Sequence, residues 1–94
     1  MTKYELIYIL NTDQDQEAIE AAIEKFNGII TNQGGTVDEV IQWGKKRLAY
    51  EINDLKDGYY VLVNFTGTGA VVNELERIFK ISEGILRHLV VKKA

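Results

Sequence analysis

Cysteine and proline are both missing from the 94 residues of this chain. Without cysteine there is neither a disulfide framework nor a thiolate metal site, and a reducing compartment suits the chain. Without proline no cis-proline turn shapes the fold. Histidine and serine occur once each, as His88 and Ser82. A multi-histidine metal centre and a Cys/His couple are thereby excluded. Ser82 lacks the Gly-x-Ser-x-Gly setting of an exposed nucleophile, and the single histidine falls in a different element, so a hydrolytic triad is not expected. Long hydrophobic runs are absent too: the apolar stretch Leu6 to Leu10 is far too short for a membrane span, and no signal-type cleavage site follows it. The expectation is a cytosolic chain with no cofactor.

What is present fits one small folded domain over residues 1–94. Hydrophobic residues make up 46% and charged residues 27%, a balance that leaves no room for extended disorder. The formal net charge of −3 argues against a protein that holds polyanion alone, because phosphate affinity comes mainly from Lys and Arg. The charge is unevenly spread. Two lysines against eight carboxylates leave −6 in residues 1–40, whereas nine cations against six carboxylates leave +3 in residues 41–94. A cationic partner near the first part and a polyanion near the second would suit this division, as would ordinary solvated faces.

Lys3 to Leu10 reads as a buried central strand closed by the turn signal Asn11-Thr12-Asp13, with Leu6, Tyr8 and Leu10 on the core face. Asp13 with Gln16 resembles a capping box, and Ile19, Ile23, Phe26 and Ile30 recur at helical spacing, predicting an amphipathic helix that ends near Gly34. Thr36 to Ile52 reads as a long strand. The odd step from Val37 to Val40 and the internal Gly44 predict a bulge or bend in it. Asp57-Gly58 supplies a hairpin turn signal, and Tyr59 to Phe65 alternates Tyr59, Val61, Val63 and Phe65 against Tyr60, Leu62 and Asn64. Val71, Val72, Leu75, Ile78 and Phe79 mark a second helix, and Ile85 to Val91 a last strand. The order β-α-β-β-α-β is that of a ferredoxin-like α+β sandwich, with four antiparallel strands and both helices on one face. The other sheet face stays open, and Ile7, Ile9, Tyr60 and Leu62 are expected to contribute to it.

Chemistry is sparse on this frame. The carboxylates fall on helix faces and turns, where solvation explains them. Gly67-Thr68-Gly69 stands between strand and helix, but Val72 occupies the place where a dinucleotide fingerprint needs Gly or Ala. An acylphosphatase-like activity would need an arginine in the first loop, and Asn11 to Gln14 contains none. Lys56 to Phe65 and Ile7-Tyr8-Ile9 partly resemble the two signatures of RNA-recognition domains, yet alternation sends Tyr8 and Tyr59 toward the helices, and Val61 takes the place of the second aromatic. No enzyme is expected. One constellation remains, Trp43-Gly44-Lys45-Lys46-Arg47-Leu48-Ala49-Tyr50, where three successive cations lie between two aromatics; it suits phosphate contacts or a strand edge protected by charge. Arg87, Lys92 and Lys93 add a second cationic cluster.

Over its whole length the chain resembles the ribosomal protein six family of the bacterial small subunit. The resemblance rests on Tyr4-Glu5, Leu10-Asn11, Gly34-Gly35, Gly58-Tyr59-Tyr60, the run Trp43 to Ile52, and Arg87-His88-Leu89-Val90-Val91-Lys92. Glu51 stands where the family commonly has proline, which removes a backbone restraint. Lys46 stands where arginine is frequent, replacing a planar bidentate donor by a point charge. The resemblance implies a ferredoxin-like fold, no catalysis, and binding to the central domain of small-subunit ribosomal RNA as a heterodimer with the basic ribosomal protein eighteen. By matching position it implies RNA or partner contacts at Lys45, Lys46, Arg47, Tyr50, Arg87, Lys92 and Tyr4. The rival expectation is a ferredoxin-like regulatory module that binds a small ligand as a homo-oligomer.

Overall fold

The computed structural model describes residues 1–11, 15–52, 55–82 and 84–93, with side chains described for these except 48–52 and 55–56. Strand β1 (Thr2–Asn11) is followed by helix α1 (Gln16–Asn32), strands β2 (Thr36–Ile52) and β3 (Leu55–Gly67), helix α2 (Gly69–Ile81) and strand β4 (Ile85–Lys92). The sheet order is β2-β3-β1-β4 and every pairing is antiparallel. The ferredoxin-like order and the four-stranded sheet read from the sequence are therefore present.

Alternation in the two central strands decides which face the helices cover. Leu6, Tyr8 and Leu10 of β1 and Val61, Val63 and Phe65 of β3 are fully buried in one core with Ile19, Ile23, Phe26 and Ile30 of α1 and Val71, Leu75 and Phe79 of α2. The opposite parity, carrying Ile7, Ile9, Tyr60 and Leu62, turns away from both helices. Aromatic rings tie the layers together. Tyr8 meets Phe26 edge-on at 5.1 Å and Phe79 at 5.6 Å between centroids, while Phe26 and Phe79 stand 4.5 Å apart. Such pairs add roughly 0.5–1.5 kcal/mol each beyond the area they bury. His88, paired across the ladder with Tyr8, stacks on Phe79 at 4.7 Å, so the lone histidine packs against the core.

Local signals set the helix ends. The capping residue of α1 is Asp15, not Asp13: its Oδ1 accepts from the Ala18 backbone N–H at 2.8 Å. The physical reason is the distance to the first apolar contact, since Asp15 stands four residues before Ile19 and opens the helix one turn ahead of it. Asp13 lies outside the described residues. At the other end Gly34, with φ +83°, carries the left-handed step that lets the Gly34 and Gly35 amides donate back to the Thr31 and Ile30 carbonyls.

The long hairpin differs from the sequence reading at its tip. Asp57-Gly58 is not the turn; both residues lie within β3, opposite Arg47 and Lys46, and after a register shift the pairing resumes at Ile52 opposite Leu55. The connection is residues 53–54, outside the described set. Cross-strand pairing past Asp57 outweighed the turn propensity of that dipeptide. Among the described residues β1 pairs as far as Asn11 opposite Gly58, and the hairpin runs on beyond that point.

Candidate nucleic-acid and partner interface

Two irregularities in β2 shape the open face. The register slips between Val37 and Glu39, which lets Val37 and Val40 both pack against the helix-side core despite their odd spacing. It slips again between Gln42 and Gly44, where Gly44 has φ +82°. Gln42 points to the helix side, where its Oε1 accepts from the Tyr59 hydroxyl at 2.8 Å. Past the second slip, Gly44 lies opposite Tyr60 and Lys46 opposite Gly58. In a regular strand Trp43 and Lys46 would fall on opposite faces; the extra residue brings them to the same one. The Lys46 ammonium stands 5.1 Å from the Trp43 ring centroid, and Trp43 lies 6.4 Å from the Tyr60 ring.

The three successive cations therefore do not form one cluster. Lys46 belongs to the open face. Lys45 and Arg47 pair with Tyr59 and Asp57, whose side chains take the helix-side parity, and the Lys45 ammonium lies 3.9 Å from the Asp57 carboxylate. Both partners of that ion pair are well exposed, so its worth is small. Of the remaining expected contacts, Arg87 lies opposite Ile9 on the open face, whereas Lys92 lies opposite Tyr4 on the helix side. Tyr4 stacks on Phe65 with centroids 5.3 Å apart and is partly buried, a packing position. The side chain of Tyr50 lies outside the described residues.

The open face is graded along the strands. At one end stand Glu5, Asp38 and Glu39 with Lys3; the Asn64 amide donates to Glu39 at 3.2 Å and the Thr66 hydroxyl to Asp38 at 2.7 Å. In the middle are Ile7, Ile41, Leu62 and Leu89, while Val91 lies opposite Glu5 at the border of the acidic end. At the other end are Ile9, Tyr60, Trp43, Lys46 and Arg87. The apolar members are not equally available. Ile9 and Leu62, read from sequence as part of the open surface, face that way but are only 7% and 8% exposed, because side chains on a central strand are flanked on both sides. The accessible apolar area lies on the flanking strands, with Trp43 44%, Leu89 56% and Val91 45% exposed. Sequence reasoning named no role for Leu89 and Val91, although their alternation with the half-buried His88 and Val90 carries the signal. Among the described residues no three His, Asp or Glu side chains converge as metal ligands would, and no helix is long and apolar enough to cross a membrane.

Four antiparallel strands under two helices, with the second sheet face bare, define a ferredoxin-like α+β protein whose free surface is a graded sheet face. The family model described as ribosomal protein S6 matches residues 3–92. The chain is 52% identical over 93 residues to the small ribosomal subunit protein bS6 of Clostridium beijerinckii, covering 99% of this chain and 98% of that one. It is 50% identical over 92 residues to the bS6 protein of Moorella thermoacetica, covering 98% and 94%. Its backbone is similar to the crystal structure of 30S ribosomal protein S6 from Thermotoga maritima, with a TM-score of 0.93 at 27% identity, over 98% of this chain and 87% of that one. The chain belongs to the ribosomal protein S6 family. It is thus a small-subunit ribosomal protein of a structural rather than enzymatic family, and its place is the cytoplasmic ribosome.

Proposed function

We propose that this protein binds the central domain of small-subunit ribosomal RNA as a heterodimer with ribosomal protein eighteen, and that it does so without catalysis. The observation that carries the reading is the bare sheet face, apolar in its middle, acidic at one end and cationic at the other. A basic partner complements the Glu5, Asp38 and Glu39 end and covers exposed Leu89 and Val91, while phosphates meet Lys46 and Arg87. Lys45, Arg47 and Lys92 offer further cations on the helix side, and Tyr50 and Tyr4 complete the set of candidate contacts. A net charge of −3 is then no obstacle, because the partner brings most of the cations.

Binding of a central-domain RNA fragment, measured with and without the partner over a range of salt, tests this. The chain alone should bind weakly, and the pair should bind far more tightly with a steep salt dependence. Tight, salt-insensitive binding by the chain alone would contradict the reading. So would a stable homodimer that responds to a small metabolite in size-exclusion chromatography.

A further inference from the structure

We infer that Trp43 and Tyr60, with Lys46 beside them, form a stacking platform for one unpaired nucleobase of single-stranded RNA; this rests on the RNA-binding reading above. A sheet face that holds single-stranded RNA by stacking needs exposed aromatic rings and a neighbouring cation for the phosphate. The aromatics usually sought for this at Tyr8 and Tyr59 turn to the helix side. The register slip at Gly44 supplies a different pair. It sets the indole of Trp43 beside Tyr60 on the open face, and leaves Trp43 44% exposed, although a large apolar ring gains most by burial. Arg87, Ile9, Tyr60 and Gly44 follow one another across the four strands as a single rung, so a second exposed cation shares the level of the rings.

The position of Lys46 fits this use. Its ammonium rests over the indole at 5.1 Å, on a rotatable stem that reaches a phosphate once a base lies on the ring. An exposed cation–π contact is worth less than a base stacked on an aromatic side chain, so the base displaces the ammonium. The ammonium then gains a phosphate partner in place of the ring. The site reads no particular base, since every base has a π face. It therefore selects an unpaired nucleotide over a paired one.

Trp43 is the only tryptophan, which makes the test direct. The chain is labelled with 5-fluorotryptophan, assembled with its basic partner, and titrated with the central-domain RNA fragment while the single ¹⁹F resonance is followed. The resonance should shift when RNA is added and stay in place when the partner alone is added. Trp43→Leu should weaken RNA binding by roughly 5- to 150-fold, the loss of one base stack. Trp43→Phe should recover a large part of that, and both variants should keep the parent melting temperature within a few degrees. A resonance moved by the partner and indifferent to RNA would assign the indole to the protein contact and overturn the proposal. Unchanged affinity of a folded Trp43→Leu would overturn it as well, while leaving RNA binding itself intact. Failure of the unsubstituted pair to bind the fragment would overturn both readings together.

Discussion

Tyr8 is fully buried and its hydroxyl has no hydrogen-bond partner among the described residues, set as it is beside Phe26 and Phe79 in the core. Burial also pushes its phenol well above the ordinary tyrosine range. An unsatisfied buried hydroxyl costs about 1–3 kcal/mol, so Tyr8→Phe should stabilise the fold by roughly 1 kcal/mol at neutral pH, read from the midpoint of urea unfolding. The pH effect has a definite sign. Because the folded value lies above the unfolded one, the stability this group contributes is intact below the unfolded value, about 10. It is then lost as pH climbs from there toward the folded value, since only the unfolded chain sheds its proton easily. Between pH 9 and 11 the parent should therefore lose more stability than Tyr8→Phe. Gly44 is the opposite kind of residue. A Cβ there would touch nothing within 4 Å, so Gly44→Ala is opposed only by the backbone at φ +82°. A loss of about 1–2 kcal/mol with unchanged m-value is expected, together with an altered near-ultraviolet signal from Trp43 as the slip relaxes.

Among the elements, α1 and β2 show how one side chain or one extra residue steers a whole segment. The Asp15 carboxylate satisfies the Ala18 amide, and Asp15→Ala should cost about 1 kcal/mol and raise hydrogen exchange first at Ala18. Helix α2 has a weaker start, with Thr68 at its N-cap making no side-chain hydrogen bond, and relies on Val71, Leu75 and Phe79 in the core. In β2 the first two of three slips do different work. The first saves the burial of Val37 and Val40, and the second turns Trp43 and Lys46 to one face. Both were legible as an irregular strand from the odd valine spacing and the internal glycine. Their consequence for Lys45, Lys46 and Arg47 was not, because a run of like charges in sequence says nothing of which face each takes until the register is known.

At the scale of the molecule, the cations lie on two sides of a hairpin that continues past β1. Neutralising Lys45, Lys46 and Arg47 together removes charge from both sides at once without touching the core. The triple Gln variant should keep the parent melting temperature, and the slope of log affinity against log salt for the partnered complex should fall by roughly 2 if all three meet phosphates. An unchanged slope would assign them to the protein partner or to solvent. The acidic end of the open face should respond otherwise: its carboxylates have no attraction for RNA, so their removal should weaken heterodimer formation and leave the RNA salt slope alone.

Element order, the core parity of β1 and β3, the ferredoxin-like topology and the likeness to the S6 family were all written in the chain. Periodic burial and family motifs are local in sequence, so they survive without coordinates. Three things were decided only in three dimensions. Helix α1 is capped by Asp15, the hairpin extends past Asp57-Gly58, and Trp43 shares a face with Lys46 and Tyr60. The last two depend on strand pairing with residues far away along the chain, where a one-residue change of register moves a side chain from one surface to the other, whereas the first rests on the Asp15 carboxylate reaching the Ala18 amide.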